Sequence, residues 1–202
     1  LEILENEEVI IAILTGPGKK KHTFLNNNLL KTIRKESVEA LEILGVKNII
    51  YKDLPPVTLA DQPQWEINKI VNDIITSINP QTIFVPYKND LHQDHKVISY
   101  AVNVACRPYL DQVSNLKKIL AYETLSETDL QYNSNPFQPN VFIDISSTID
   151  IKLKALASYK SQLQKKYKPR TIDTIKALSV LRGAHIGKKA AEAFMLLGEY
   201  VK

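Results

Sequence analysis

Short apolar runs alternate along this chain with longer stretches in which apolar residues recur every three or four positions. VIIAILT (Val9 to Thr15) is continuous, rich in β-branched residues and stopped by Gly16-Pro17-Gly18, which predicts a strand buried on both faces. The residues ahead of it, LEILENEE, read as the last turns of a helix entering that strand. From Asn28 to Leu44 the positions Leu30, Ile33, Leu41 and Leu44 have helical spacing, and Gly45 stands where a helix end favours positive φ. VKNIIY predicts a second strand, and Asp53 to Gln64, with three prolines, a loop. Ile67, Ile70, Val71, Ile74, Ile75 and Ile78 mark a helix closed by Asn79-Pro80, and TIFVP (Thr82 to Pro86) a further buried strand.

The second half continues the alternation. A helix is expected from about Asp94 to Cys106, then strands at KILAYE (Lys118 to Glu123) and VFIDI (Val141 to Ile145). The stretch between those strands, TLSETDLQYNSNPFQPN, carries apolar anchors and reads as a long functional loop. Ser147-x-x-Asp150 has the form of a capping box opening a helix that runs to about Lys165, and a last helix is expected from Ala190 to Tyr200. Strands alternating with helices predict an α/β fold, a mostly parallel sheet with helices on both faces. In such sheets ligands bind beyond the carboxyl ends of the strands, where Thr15 to Gly18 and residues 87 to 95 fall.

Composition narrows the classes. With 202 residues, 44% of them apolar and 24% charged, the chain is of a size and polarity that builds one substantial core. The net charge of +4 gathers at Lys19-Lys20-Lys21 and at Lys165, Lys166, Lys168 and Arg170. No aromatic or arginine interleaving accompanies these lysines, so they read as solvated surface and no nucleic-acid partner is expected; an anionic substrate or membrane surface stays open. The single cysteine, Cys106, excludes an internal disulfide and reads as a buried apolar residue. It is compatible with a reducing compartment, and the expected location is cytoplasmic. No run of eighteen apolar residues is present, so no membrane span is expected. Leu1 is not an initiator and the only methionine is Met195, so the reading frame is expected to begin upstream, where a signal peptide or anchor could lie.

The chemistry concentrates in NDLHQDHK (Asn89 to Lys96), with His92 and His95 three apart, Asp90 before them and Asp94 between. Histidines so spaced at the start of a helix can face one side of a sheet edge, where imidazole binds a divalent metal or moves a proton. A hydrogen-bonded surface loop is the plainer alternative. A catalytic zinc needs about three protein ligands, and this cluster supplies one or two. Neither His22, in a lysine-rich loop, nor His185, in RGAHIGK with no carboxylate close by, is a persuasive further ligand.

TIFVPYKNDLHQDHKVISYAVNVACRP resembles the H-x-D-H segment of the PIG-L/LmbE-like zinc-dependent de-N-acetylases, with the same strand before it and helix after it. VIIAILTGPG, IRKESVEALEILGV, LAYETLSET, FQPNVFIDIS, KLKALASYKSQ and RGAHIGKKAAEAF resemble further family segments in order. The resemblance implies a single LmbE-like, Rossmann-like domain over residues 1–202. It also implies hydrolysis of an N-acetyl group on an N-acetylglucosamine-type sugar, with Zn2+ or another divalent metal activating water. His95 then matches a zinc ligand. His92 matches the histidine that, protonated, stabilises the oxyanion or donates to the leaving amine, and Asp94 the carboxylate that keeps it charged. Arg34 matches an arginine that contacts the sugar, although a surface ion pair with Glu36 or a neighbour is an alternative. Asp90 is placed to orient His95. The family's H-P-D-D-E motif, two ligands and the general base, is absent from the sequence and is expected ahead of Leu1, together with the first strand. The partner is thus a small N-acetylated sugar, with a homo-oligomer left open. The rival reading is a non-catalytic sugar- or nucleotide-binding α/β module of the same fold.

Overall fold

The computed structural model describes residues 7–18, 24–130 and 135–201. The helical opening, Lys19 to Lys21, His22 and the middle of the loop between the two later strands lie wholly or partly outside the described residues. The chain divides into two compact units, one holding residues up to Pro56 with Asp144–Glu192, the other Val57–Ile143 with the chain from Ala193 onward.

In the first unit β1 (Ile10–Thr15) and β2 (Asn48–Leu54) pair in parallel, from Ile10 opposite Asn48 to Thr15 opposite Leu54. Their crossover is α1 (Asn27–Ile43), started by the Asn26 side chain accepting from the Asn28 N–H at 2.8 Å. Gly45 closes it at φ 74°, its N–H donating to Glu42 O, as the sequence predicts. The buried face of α1 contains Leu30, Ala40 and Leu41, but also Glu36. Glu36 accepts from the Ser161 N–H at 2.8 Å and the Ser161 hydroxyl at 2.6 Å, so its buried charge is held by two donors. α4 (Ile149–Ala157) and α5 (Ile172–Ala184) complete the unit.

The second unit is built on a four-stranded sheet of order β3-β4-β6-β5, formed by β3 (Thr82–Pro86), β4 (Lys118–Tyr122), β5 (Val141–Asp144) and β6 (Ala191–Glu199). β3 and β4 are parallel, Thr82 opposite Lys118 through Pro86 opposite Tyr122, whereas β4 and β6 are antiparallel. The sheet is therefore mixed, a departure from the mostly parallel arrangement expected. α2 (Gln64–Ile78) buries Ile67, Val71, Ile74 and Ile75 and stops at Asn79, which takes φ 48°. It packs on α3 (Gln93–Ala105), whose N-terminus carries the histidine segment.

Three expectations at the carboxyl third are corrected. The helix expected from Ala190 to Tyr200 is instead the strand β6, Ala191–Glu199, flanked by β4 and β5. AEAFMLLGE is written in residues with strong helix propensity, and two strands that need a partner override that weak preference. The helix opened near Ser147 ends at Ala157, not Lys165, and its N-cap is Thr148 without a side-chain capping bond, so the capping box is not formed as expected. α5 was not anticipated: it buries only Ser179 and Gly183 while Val180 and Leu181 stay exposed, so no apolar stripe announces it.

Candidate active site

Pro86 ends β3, and the next residue, Tyr87, is buried, with its N–H donating to Tyr122 O at 3.2 Å. The chain turns through Asp90 N–H to Tyr87 O at 3.1 Å and enters α3 with His92 as N-cap. Asp90 has no exposed surface at all. A carboxylate there is costly unless its oxygens are satisfied, and they are. Oδ1 accepts from the Thr128 hydroxyl at 2.6 Å and Oδ2 from His95 Nδ1 at 2.7 Å. With the His95 proton fixed on Nδ1, its Nε2 keeps the lone pair that a metal or a proton requires.

His92 is held differently. Its Nδ1 accepts from the Asp94 N–H at 3.2 Å, so its ring proton sits on Nε2 and that nitrogen can donate. The two imidazoles stack with centroids 5.0 Å apart and planes 23° from parallel. Asp94, buried at 5% exposure, turns its carboxylate away from this ring: Oδ2 accepts from the Val57 N–H at 2.6 Å and Oδ1 from the Leu59 N–H at 3.1 Å. Its link to His92 runs through its own backbone. Val57 has φ 70°, costly for a β-branched residue, and the two bonds to Asp94 hold that strained corner.

Tyr122, at the end of β4, has its phenol pushed up to about 12, first by burial and then by the Asp90 carboxylate. The residue keeps 36% of its surface exposed, and on either count the hydroxyl stays protonated near neutral pH.

Arg34 belongs to the other unit. It projects from α1 to form an ion pair with Asp53, and its guanidinium carbon stands 3.7 Å over the Tyr51 ring. Its partner is thus Asp53, at the end of β2, while Glu36 is engaged by Ser161. Gly16 makes room for this pair, since a Cβ there would collide with the Asp53 carboxylate. Sequence reasoning did not single out Thr128, Tyr122, Val57 or Asp53; it placed Gly16 in a strand stop at a ligand-binding strand end, without this packing role.

The other expectations fall outside the cluster. His185 Nδ1 bonds Leu181 O at 2.8 Å, a local contact. Cys106 is buried and its thiol is pushed up to about 11 by that burial, which suits a core residue and not a nucleophile. Among the described residues no group of three or more His, Cys, Asp or Glu could hold a metal ion, and no helix is long and apolar enough to cross a membrane. His95 fits the part of one neutral imidazole ligand with a carboxylate behind it, and supplies only that one.

These features define a class: α/β proteins with a histidine pair, one ring backed by a buried carboxylate, just past the carboxyl end of a strand. Residues 3–106 match the family described as PIG-L, GlcNAc-PI de-N-acetylase, about half of the chain, and the chain belongs to that family. It is 26% identical over 151 residues to a probable N-acetyl-alpha-D-glucosaminyl L-malate deacetylase 2 of Bacillus cereus, covering 74% of this chain and 66% of that one. It is 31% identical over 131 residues to the uncharacterized deacetylase YaiS of Escherichia coli, covering 62% of this chain and 64% of that one. The chain thus spans slightly less than two thirds of the length of these relatives. An N,N'-diacetylchitobiose deacetylase from Pyrococcus horikoshii shares the fold with a TM-score of 0.70 at 22% identity, over 94% of this chain and 73% of that one.

Proposed function

We propose that this protein is a metal-dependent amide hydrolase that removes an acetyl group from an N-acetylglucosamine-type sugar conjugate, with His95 as one ligand of Zn2+ or a similar divalent cation. The observation that carries the reading is the Asp90 to His95 bond. A fully buried carboxylate on Nδ1 both fixes the ring and leaves Nε2 basic, the usual support for a histidine that binds metal. The named substrates of two similar proteins, an N-acetylglucosaminyl malate and a diacetylated chitobiose, are both N-acetylated amino sugars. A divalent cation there supplies Lewis-acid polarisation and a nucleophile at neutral pH when bound.

His92 serves the other half of the chemistry. Its Nε2–H is a donor suited to the negative charge that builds on the amide oxygen during attack. Asp94 supports it by holding the first turn of α3 and the Val57 corner in place. Arg34, with a planar cation backed by Tyr51, is suited to contact sugar hydroxyls.

Metal analysis and acetate release test the reading together. The protein expressed from its reading frame is expected to hold about one zinc per chain, to lose it in His95→Ala, and to release acetate from N-acetylglucosamine conjugates. His92→Ala is expected to keep the metal and lose about a hundredfold in turnover. Equal metal loss in both variants overturns the division of labour. The second reading is a sugar-binding module of the same fold without catalysis. Sugar binding with neither metal nor acetate release selects it.

A further inference from the structure

The Asp90 carboxylate does not act alone. Its second oxygen is occupied by Thr128, from the loop that follows β4, and the Thr128 oxygen in turn accepts from the Thr124 N–H at 2.7 Å. Thr128 is 5% exposed. The same loop is tied to the histidine segment a second time, by the Leu91 N–H donating to Glu127 O at 3.2 Å. Donors therefore converge on Asp90 from two sides: Thr128 Oγ1, which receives the Thr124 N–H, turns its own proton on Oδ1, and His95 Nδ1–H donates to Oδ2. The Thr128 bond holds the carboxylate in the orientation that presents Oδ2 to His95.

We propose that Thr128 is a positioning residue for His95: its hydroxyl locks Asp90 so that the His95 ring keeps its proton on Nδ1 and offers Nε2 to a divalent cation. This rests on the metal reading above, but only in its last step. The order of the loop after β4 and the quality of the metal ligand are then one property, because the 124–128 turn cannot loosen without releasing Asp90.

The tautomer can be read without metal. Long-range nitrogen–proton correlation NMR on the metal-free protein is expected to show His95 protonated at Nδ1 and bare at Nε2. In Thr128→Val, which keeps the shape and removes the hydroxyl, the Nε2–H tautomer is expected to become substantially populated. Affinity for Zn2+, measured by chelator competition, is expected to fall about tenfold, the low end for loss of a group behind a metal-binding histidine. Thr128→Ser is expected to restore both. An unchanged tautomer in a folded Thr128→Val overturns the proposal. A shifted tautomer in a protein that takes up no zinc at all leaves the positioning role standing and overturns the metal reading instead. Should the valine variant not fold, Thr128→Cys, a weaker donor, gives the same test: an intermediate tautomer ratio supports the role, and the wild-type ratio overturns it.

Discussion

The segment from Asp90 to His95, just past β3, and the group where Arg34 of α1 meets Tyr51 and Asp53 of β2 hold their polar side chains in opposite ways. In the first, Asp90 and Asp94 are buried, and together their carboxylates accept from a hydroxyl, a ring nitrogen and two backbone N–H groups. In the second, Arg34 and Asp53 keep 23% and 43% of their side chains exposed, and one ion pair and one ring face hold them; the buried Tyr51 hydroxyl has no hydrogen-bond partner among the described residues. Buried charges that are fully satisfied become rigid, because losing any one donor leaves a desolvated charge behind. Half-exposed charges can exchange partners with water or a ligand at little cost. The difference separates a part of fixed geometry from a part that can exchange its partners.

Four substitutions break or sharpen this contrast. Asp94→Ala removes the acceptor of two N–H bonds and releases the strained Val57, and is expected to cost about 3 kcal/mol in urea unfolding; a loss below about 1 kcal/mol would show that the carboxylate holds nothing. Gly16→Ala sets a methyl against the mobile ends of Asp53 and Arg34, so the pair is expected to shift aside at a cost of about 1 kcal/mol or less. A loss above about 2 kcal/mol there would show that the pair is held rigidly. Asp53→Ala removes only one partner of an exposed pair, so its expected cost is about 0.5 kcal/mol, within the range of surface ion pairs. If it rivals Asp94→Ala, the contrast between the two regions fails.

The smallest effect is on pH dependence. Burial, and then the Asp90 carboxylate, push the Tyr122 phenol up to about 12 from the ordinary value near 10. A group whose folded value is raised stabilises the fold fully below its unfolded value, and that contribution is lost as pH rises from about 10 towards 12. Tyr122→Phe is expected to flatten the alkaline limb of a thermal-melt series in that window and leave neutral pH unaffected. A parallel shift of the whole curve would assign the effect to packing instead of charge.

Much of this was legible in the sequence because its causes are local. β-Branched runs, the Asn79 and Gly45 helix ends and the HQDH start of α3 each depend on residues within a few positions of one another, and the structure places them where the pattern does. The resemblance to the de-N-acetylases rests on the same short segments, and the family match bears it out. β6 escaped because its helix-favouring residues take the conformation that neighbouring strands impose, and α5 because it has almost no buried stripe.

The sequence by itself determined where the histidines and their neighbouring carboxylates lie and which elements present them. Only the tertiary structure decided whom those side chains meet. Asp94 lies two places from His92 but gives its carboxylate to Val57, 37 positions away, and Asp90 takes its proton donor from Thr128, 38 positions on. Spacing along a helix fixes neighbours by geometry, whereas a buried carboxylate takes whatever donors the folded path of the chain brings within 3 Å, and that path depends on every strand between.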